Sequence, residues 1–218
     1  RRVYQVDQKE QSASFSREKA SRHVQAPLPF EWDRARAERV VREVGALFKA
    51  YPEIFDSDIK LEARREVRHF VSSEGTALVT ESTIYGLHVE AVTRAEDGQL
   101  LSNGRDYYAA SESGLPALEL VKRETLEMIG ELRALRSAPV IDPYTGPAIL
   151  APRAAGVLFH EVVGHRLEGD RQEDDTEGRT FKGQIGRAVL PAFLSVVDDP
   201  TLRTVGGTTL NGWYLFDE

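Results

Sequence analysis

Two histidines flank a glutamate in the segment His160-Glu161-Val162-Val163-Gly164-His165. Neutral imidazoles and carboxylates are the side chains that hold zinc in hydrolytic centres, where one coordination position is left for water. The metal lowers the pKa of that water and polarises a carbonyl. A neighbouring carboxylate then takes the proton and returns it to the leaving group. The segment supplies side chains for each of these tasks on an otherwise apolar stretch.

The spacing is uncommon. In His-Glu-x-x-His the two imidazoles stand at i and i+4, only about 40° apart around an α-helix. Here they stand at i and i+5, about 140° apart on a regular helix, too far round to share one ion. A metal centre therefore demands a wider π-type turn, or a helix that ends between the two histidines. Gly164, just before the second histidine, makes local unwinding cheap. The blander alternative is a pair of packed or capping histidines.

Other side chains with chemical potential read as structural. His69 shares a strand face with Val67 and Val71, which suggests a half-buried histidine, and His88 lies in the same predicted meander. His23 falls in a polar stretch. Tyr107-Tyr108 and Trp213-Tyr214 read as core or edge aromatics. Glu173-Asp174-Asp175 lacks the central glycine and final glutamate of a calcium loop. Asp198-Asp199-Pro200 reads as a turn. Gly206-Gly207 lacks the Lys-Ser/Thr companion of a phosphate loop, and no Gly-x-Ser-x-Gly elbow occurs.

The elements that must position the motif follow from periodicity. Val3 and Val6 flank Tyr4 in a strand-like start, and residues 12–22 read as surface. Asp33 caps a predicted helix over 34–50, whose apolar stripe is Val40, Val41, Val44, Leu47 and Phe48. Residues 58–72 alternate, with Ile59, Leu61, Ala63, Val67 and Val71 on one face. Two more strands are expected at 77–84 and 87–93, separated near Gly86. Turn signals fall at Ser73-Glu74-Gly75, Glu96-Asp97-Gly98 and Asn103-Gly104. Pro116 opens a long helix to about Arg136, with Leu118, Val121, Thr125, Ile129, Leu132 and Leu135 at helical spacing. A Pro- and Gly-rich linker over 137–147 precedes a short buried strand, 148–150, and a helix beginning near Pro152 that carries the motif. The region 168–182 reads as a polar loop, and 208–216 as a final strand.

The fold class is α+β: an antiparallel sheet covered by helices, then the motif helix and the start of a β-rich region. The expected domains are 1–137 and 138–218. With 41% hydrophobic and 29% charged residues the composition is that of a soluble chain. A net charge of −7 disfavours nucleic acid as a partner. No apolar run reaches the roughly 18 residues of a membrane span. The chain has no cysteine, so a zinc site built from it alone rests on His, Asp and Glu. It begins Arg1-Arg2 without Met and stops after a strand-like run, so both ends read as cut.

The run Gly156-Val157-Leu158-Phe159-His160-Glu161-Val162-Val163-Gly164-His165-Arg166-Leu167-Glu168-Gly169-Asp170 resembles the His-Glu-x-x-x-His signature of the TldD/PmbA metallopeptidases. Phe181-Lys182-Gly183-Gln184-Ile185-Gly186 resembles the loop that follows it, and Val196-Val197-Asp198-Asp199 the downstream strand end. Phe70-Val71-Ser72-Ser73-Glu74-Gly75-Thr76 resembles a strand and turn of the family's amino-terminal domain. The resemblance implies His160 and His165 as zinc ligands and Glu161 as general acid/base. It implies a third ligand from a later cysteine; Glu168 or Asp170 is a substitute, though each reads more simply as a surface or hydrogen-bonding acid. It implies hydrolysis of unfolded or extended peptides, as in peptide-antibiotic maturation and antitoxin turnover. It also implies a homodimer or a heterodimer with a family paralogue. Family resemblance points to the cytoplasm, and a signal peptide removed before Arg1 would point outside it. The alternative from another class is a non-catalytic partner subunit or binding module with an incomplete metal site. A third is a domain in which metal serves folding alone.

Overall fold

The computed structural model describes residues 19–169, 171, 180–202, 204–205 and 208–209. Its elements are strand β1 (Arg22–Val24), helix α1 (Arg34–Leu47), strands β2 (Ile54–Val71), β3 (Ala77–Arg94) and β4 (Leu100–Ala109), helix α2 (Leu118–Arg136), helix α3 (Pro152–Phe159), a π turn (His160–Gly164), helix α4 (His165–Leu167), and strands β5 (Thr204–Val205) and β6 (Thr208–Thr209). The class is α+β. The chain forms two compact units, one of Ala20–Asp142 with β5 and β6, the other containing Pro143–Pro200.

β3 is the centre of the larger unit. It pairs antiparallel with β2 along its whole length, and its other edge is shared by β1, parallel at Ala77–Val79, and β4, antiparallel from Tyr85. Alternation sends Tyr85, Leu87, Val89 and Ala91 to one face. There they pack with Val40, Val44 and Phe48, and with Val121, Met128, Ile129 and Leu132 from α2. Ile59, Leu61, Ala63, Leu101, Tyr107 and Ala109 flank this cluster from the neighbouring strands. The opposite face is polar: His88 Nδ1 lies 2.8 Å from Asp106 Oδ1, with Tyr108 edge-on to the imidazole. Tyr107 turns its hydroxyl to Glu124 at 2.6 Å; burial first, then that carboxylate, holds the phenol well above its ordinary pKa.

The sequence periods place α1 and α2 correctly. Asp33 accepts from the Arg36 amide and so caps α1. Ala37, Val40, Val44 and Phe48 are the buried stripe, with Val41 and Leu47 at its rim. The Asp97-Gly98 turn is present, with Gly98 at φ +94°.

Five expectations need correction. Residues 77–84 and 87–93 are not separate strands: β3 runs through Gly86, which stays in register with Glu62 and Tyr108. Asn103-Gly104 is not a turn but lies inside β4, where a Cβ on Gly104 would stand 3.3 Å from the Val89 carbonyl oxygen. The turn at Gly98 already reverses the chain, so glycine here serves close approach rather than reversal. The alternating face of β2 is packed only as far as Ala63. Val67, His69, Phe70 and Val71 are exposed, because α1 and α2 do not extend over that end of the ladder. His69 is thus not half-buried. Residues 148–150 form no strand, and Ile149 is fully exposed: strand propensity without a partner edge makes no ladder. Finally, Arg22–Val24, where no strand was expected, forms β1, with all three residues exposed. It is held by polar bonds that periodicity does not report. The exposed His23 lies in it. The calls on residues 3–6, Glu173-Asp174-Asp175, Gly206-Gly207 and Trp213-Tyr214 lie outside the described residues.

Glu81 carries much of that polar attachment. Its carboxylate is 6% exposed, accepts from the Leu28 amide at 2.9 Å, and takes a bidentate pair from Arg65. The Leu28 amide first, then Arg65, holds the carboxyl below its ordinary pKa. A lowered pKa stabilises the fold above the usual carboxylate range, and that contribution disappears as pH falls through the lowered value. Glu81→Gln is therefore expected to destabilise the protein at pH 7, with the gap to wild type narrowing in acid, measured by urea denaturation across pH. Leu132→Ala, at a fully buried site, is expected to cost about 2–5 kcal/mol, whereas Val67→Ala should stay within about 0.5 kcal/mol. Equal costs would contradict the extent assigned to the core.

Candidate metal centre

α3 opens at Pro152, whose missing amide is harmless in the first turn of a helix. The helix is regular to Phe159, then widens. The amide of His165 donates to the carbonyl of His160, five residues back, which closes a π turn over His160–Gly164. Of the two ways expected for an i, i+5 pair to share an ion, a π-type turn or a helix end, the chain takes the first. Gly164 keeps helical angles, φ −53° and ψ −65°, so the extra residue is absorbed across the turn and no left-handed kink forms. A Cβ there would meet the Phe159 carbonyl oxygen at an ordinary 3.6 Å.

The turn brings both imidazoles together, with ring centroids 4.4 Å apart at 67°. Glu161 stands between them, its Oε1 3.9 Å from His160 Nε2 and its Oε2 3.9 Å from His165 Nε2. One ligand atom from each of His160, Glu161 and His165 falls within 4.8 Å of the others, and among the described residues no other group of three His, Cys, Asp or Glu does so. Val163 is the buried side chain of the turn, while His160 and Glu161 are open and His165 is partly covered. The donor set is chemically right for a divalent ion. Ligands at about 2.0–2.2 Å around a tetrahedral metal lie roughly 3.4 Å apart, so small side-chain rotations close the remaining gap.

Glu168, at i+3 from His165, takes a different place from the ligand considered for it. Its Oε1 lies 2.6 Å from His165 Nδ1, and Arg171 Nε reaches its Oε2 at 3.3 Å. The hydrogen bond with His165, then Arg171, holds this carboxyl below its ordinary pKa. Asp170 lies outside the described residues. Arg166 and Arg171 join Glu161 and His165 in lining an open cleft. Neither arginine stands out in the sequence, although the i+3 steps from His165 to Glu168 and from Glu168 to Arg171 are a usable signal. Arg166 also donates to Thr180 Oγ1, tying the helix end to the loop that follows. That loop turns twice, through Gln184 N to Phe181 O and Arg187 N to Gln184 O. Asp198 and Asp199 lie in irregular chain just before a turn at Pro200.

Residues 143–218 match the family model described as the PmbA/TldA metallopeptidase C-terminal domain. Over these residues the chain is similar to the PmbA/TldD metallopeptidases. A protein named metalloprotease from Methanothermobacter thermautotrophicus is 29% identical over 147 residues, 63% of this chain and 30% of that one. A metalloprotease of Methanocaldococcus jannaschii is 30% identical over 148 residues, 65% and 30% of the two chains. A metalloprotease TldD homolog of Haemophilus influenzae is 26% identical over 179 residues, 80% and 34%. The chain thus spans about a third of the length of these relatives. No solved structure matches it. Among the described residues no helix is long and apolar enough to cross a membrane.

If the π turn gathers a metal centre, Co2+ added to the protein will develop the visible absorption of a low-symmetry site. His160→Ala and His165→Ala should each weaken Co2+ binding beyond the roughly 10–100-fold typical of losing an outer partner, followed by spectrophotometric titration. Unchanged titrations in both variants would show that these imidazoles hold no ion.

Proposed function

We propose that this chain carries part of the active centre of a zinc-dependent peptidase that hydrolyses unfolded or extended peptides. The observation that carries the reading is the π turn that gathers His160, Glu161 and His165, set in a segment that matches a metallopeptidase domain. His160 and His165 hold the ion in this reading. Zinc is favoured because imidazoles are ligands that suit it, with Glu161 beside them kept for proton transfer. The resemblance places a cysteine as third ligand, and the sequence has none.

When bound, the metal acidifies a water molecule and polarises the scissile carbonyl. Glu161 is the acid/base. Its carboxylate, poised between the two imidazoles and open to the cleft, accepts the proton of the attacking water and delivers it to the departing amine. Arg166 and Arg171 give the cleft positive charge beside that carboxylate, which favours a carbonyl or carboxylate of the substrate over a cation. The assembly proposed with this reading is a homodimer, or a heterodimer with a family paralogue.

Glu161→Gln keeps the shape and both imidazoles but removes the proton acceptor. It is expected to lower cleavage of an unfolded peptide by about 10²–10⁴-fold while zinc content by elemental analysis stays at the wild-type level. Full activity in the variant sinks the mechanism. Stoichiometric zinc with no Glu161-dependent cleavage in either protein favours the non-catalytic module instead.

A further inference from the structure

We infer that Glu168 is a positioning residue of this centre: it fixes the ring and tautomer of His165 so that Nε2 is the nitrogen offered to a metal. The inference rests on the metal-centre reading above and adds a residue to it.

Three observations meet at one side chain. First, α4 ends at Leu167 and the backbone of Glu168 is extended, φ −56° and ψ 138°. The i, i+3 spacing at the end of α4 sets the carboxylate beside the imidazole one turn back. Second, Oε1 stands 2.6 Å from His165 Nδ1. A carboxylate only accepts, so Nδ1–H of His165 is the donor to Glu168, and Nε2 is the nitrogen left facing the site. Nε2 is the atom turned to Glu161, 3.9 Å from its Oε2. Third, the other oxygen of Glu168 takes Arg171 Nε at 3.3 Å. With both oxygens engaged, the carboxylate is held against rotation.

The arrangement is asymmetric. Among the described residues His160 has no comparable carboxylate at its Nδ1; its acidic neighbour is Glu161, which faces Nε2. One imidazole is therefore braced before metal arrives and the other is not. Metal-bound histidines that donate their second nitrogen to a carboxylate are oriented and made more basic by it, and loss of such a partner weakens metal binding about 10–100-fold.

The test uses the full-length protein with Zn2+ as probe, titrated against a chromophoric chelator, and ¹⁵N NMR of histidine-labelled protein without metal. Glu168→Ala is expected to weaken Zn2+ binding by about 10–100-fold. Glu168→Gln, which keeps a neutral acceptor, should recover part of that loss. In the metal-free spectra His165 should carry its proton on Nδ1 in wild type and lose that preference in Glu168→Ala, with the His160 signals unmoved. A purely structural role would shift stability without this tautomer change. Undiminished Zn2+ affinity in Glu168→Ala, or a His165 tautomer indifferent to the substitution, overturns this inference and leaves the metal-centre reading standing. Absence of Zn2+ binding in wild type overturns both.

Discussion

β3 has hydrogen-bonding partners on both of its edges, and the larger unit hangs on that fact. One edge is filled by β2 over the whole strand; the other is divided between β1 and β4. A strand buried in the middle of a sheet presents one side-chain row to the core with period two, here Tyr85, Leu87, Val89 and Ala91. α1 and α2 cover that row and its flanks on β2 and β4, so their stripes of Val44, Val121, Ile129 and Leu132 meet over it. Tyr85 joins this core to the attached amino-terminal segment: its ring packs near Phe30, and its hydroxyl exchanges hydrogen bonds with the backbone of Glu31.

The smaller unit obeys a different constraint. Five residues between two imidazoles do not close a regular α-helical turn onto one side. The hydrogen bond from the His165 amide to the His160 carbonyl replaces the α pattern there, and the cost is the weaker packing of a wider turn. The gain is positional: two rings 4.4 Å apart with a carboxylate between them. Single π turns inside α-helices recur at functional sites for this reason, since they re-aim side chains without ending the helix. The helix around this one is apolar and uncovered, with Val157, Leu158, Phe159, Val162 and Leu167 all substantially exposed.

Charge organises what surrounds the motif. Glu161 and Glu168 are close in sequence but have distinct settings. Glu161 faces two Nε2 atoms at 3.9 Å and is hydrogen-bonded to neither, which leaves its oxygens free to act on something else. Glu168 is spent on His165 and Arg171. Two nearby carboxylates thus stand in different settings, one between two imidazoles and one hydrogen-bonded to His165 and Arg171.

The sequence by itself determined the periods and the chemistry. Helical stripes at 40, 44 and 48 and at 121, 125, 129 and 132 are local patterns, and so is the demand that the helix widen or end between His160 and His165 if the two are to share an ion. These follow from fixed rise and rotation per residue. The motif's kinship was legible as well, because it lies in contiguous residues. What only the tertiary structure decided depended on partners distant in the chain. Gly86 and Gly104 looked like breaks until β3 and β4 had edges to pair with. Val67, His69 and Val71 looked like a core face until the helices proved too short to reach them. Arg22–Val24 carries no strong period and became a strand by pairing with Ala77–Val79 of β3, beside which Gln25 exchanges hydrogen bonds with the Glu81 backbone. Residues 148–150 had the propensity of a strand and no edge to join. A period reports which side chains could share a face; whether anything covers that face is set by elements that the local sequence does not contain.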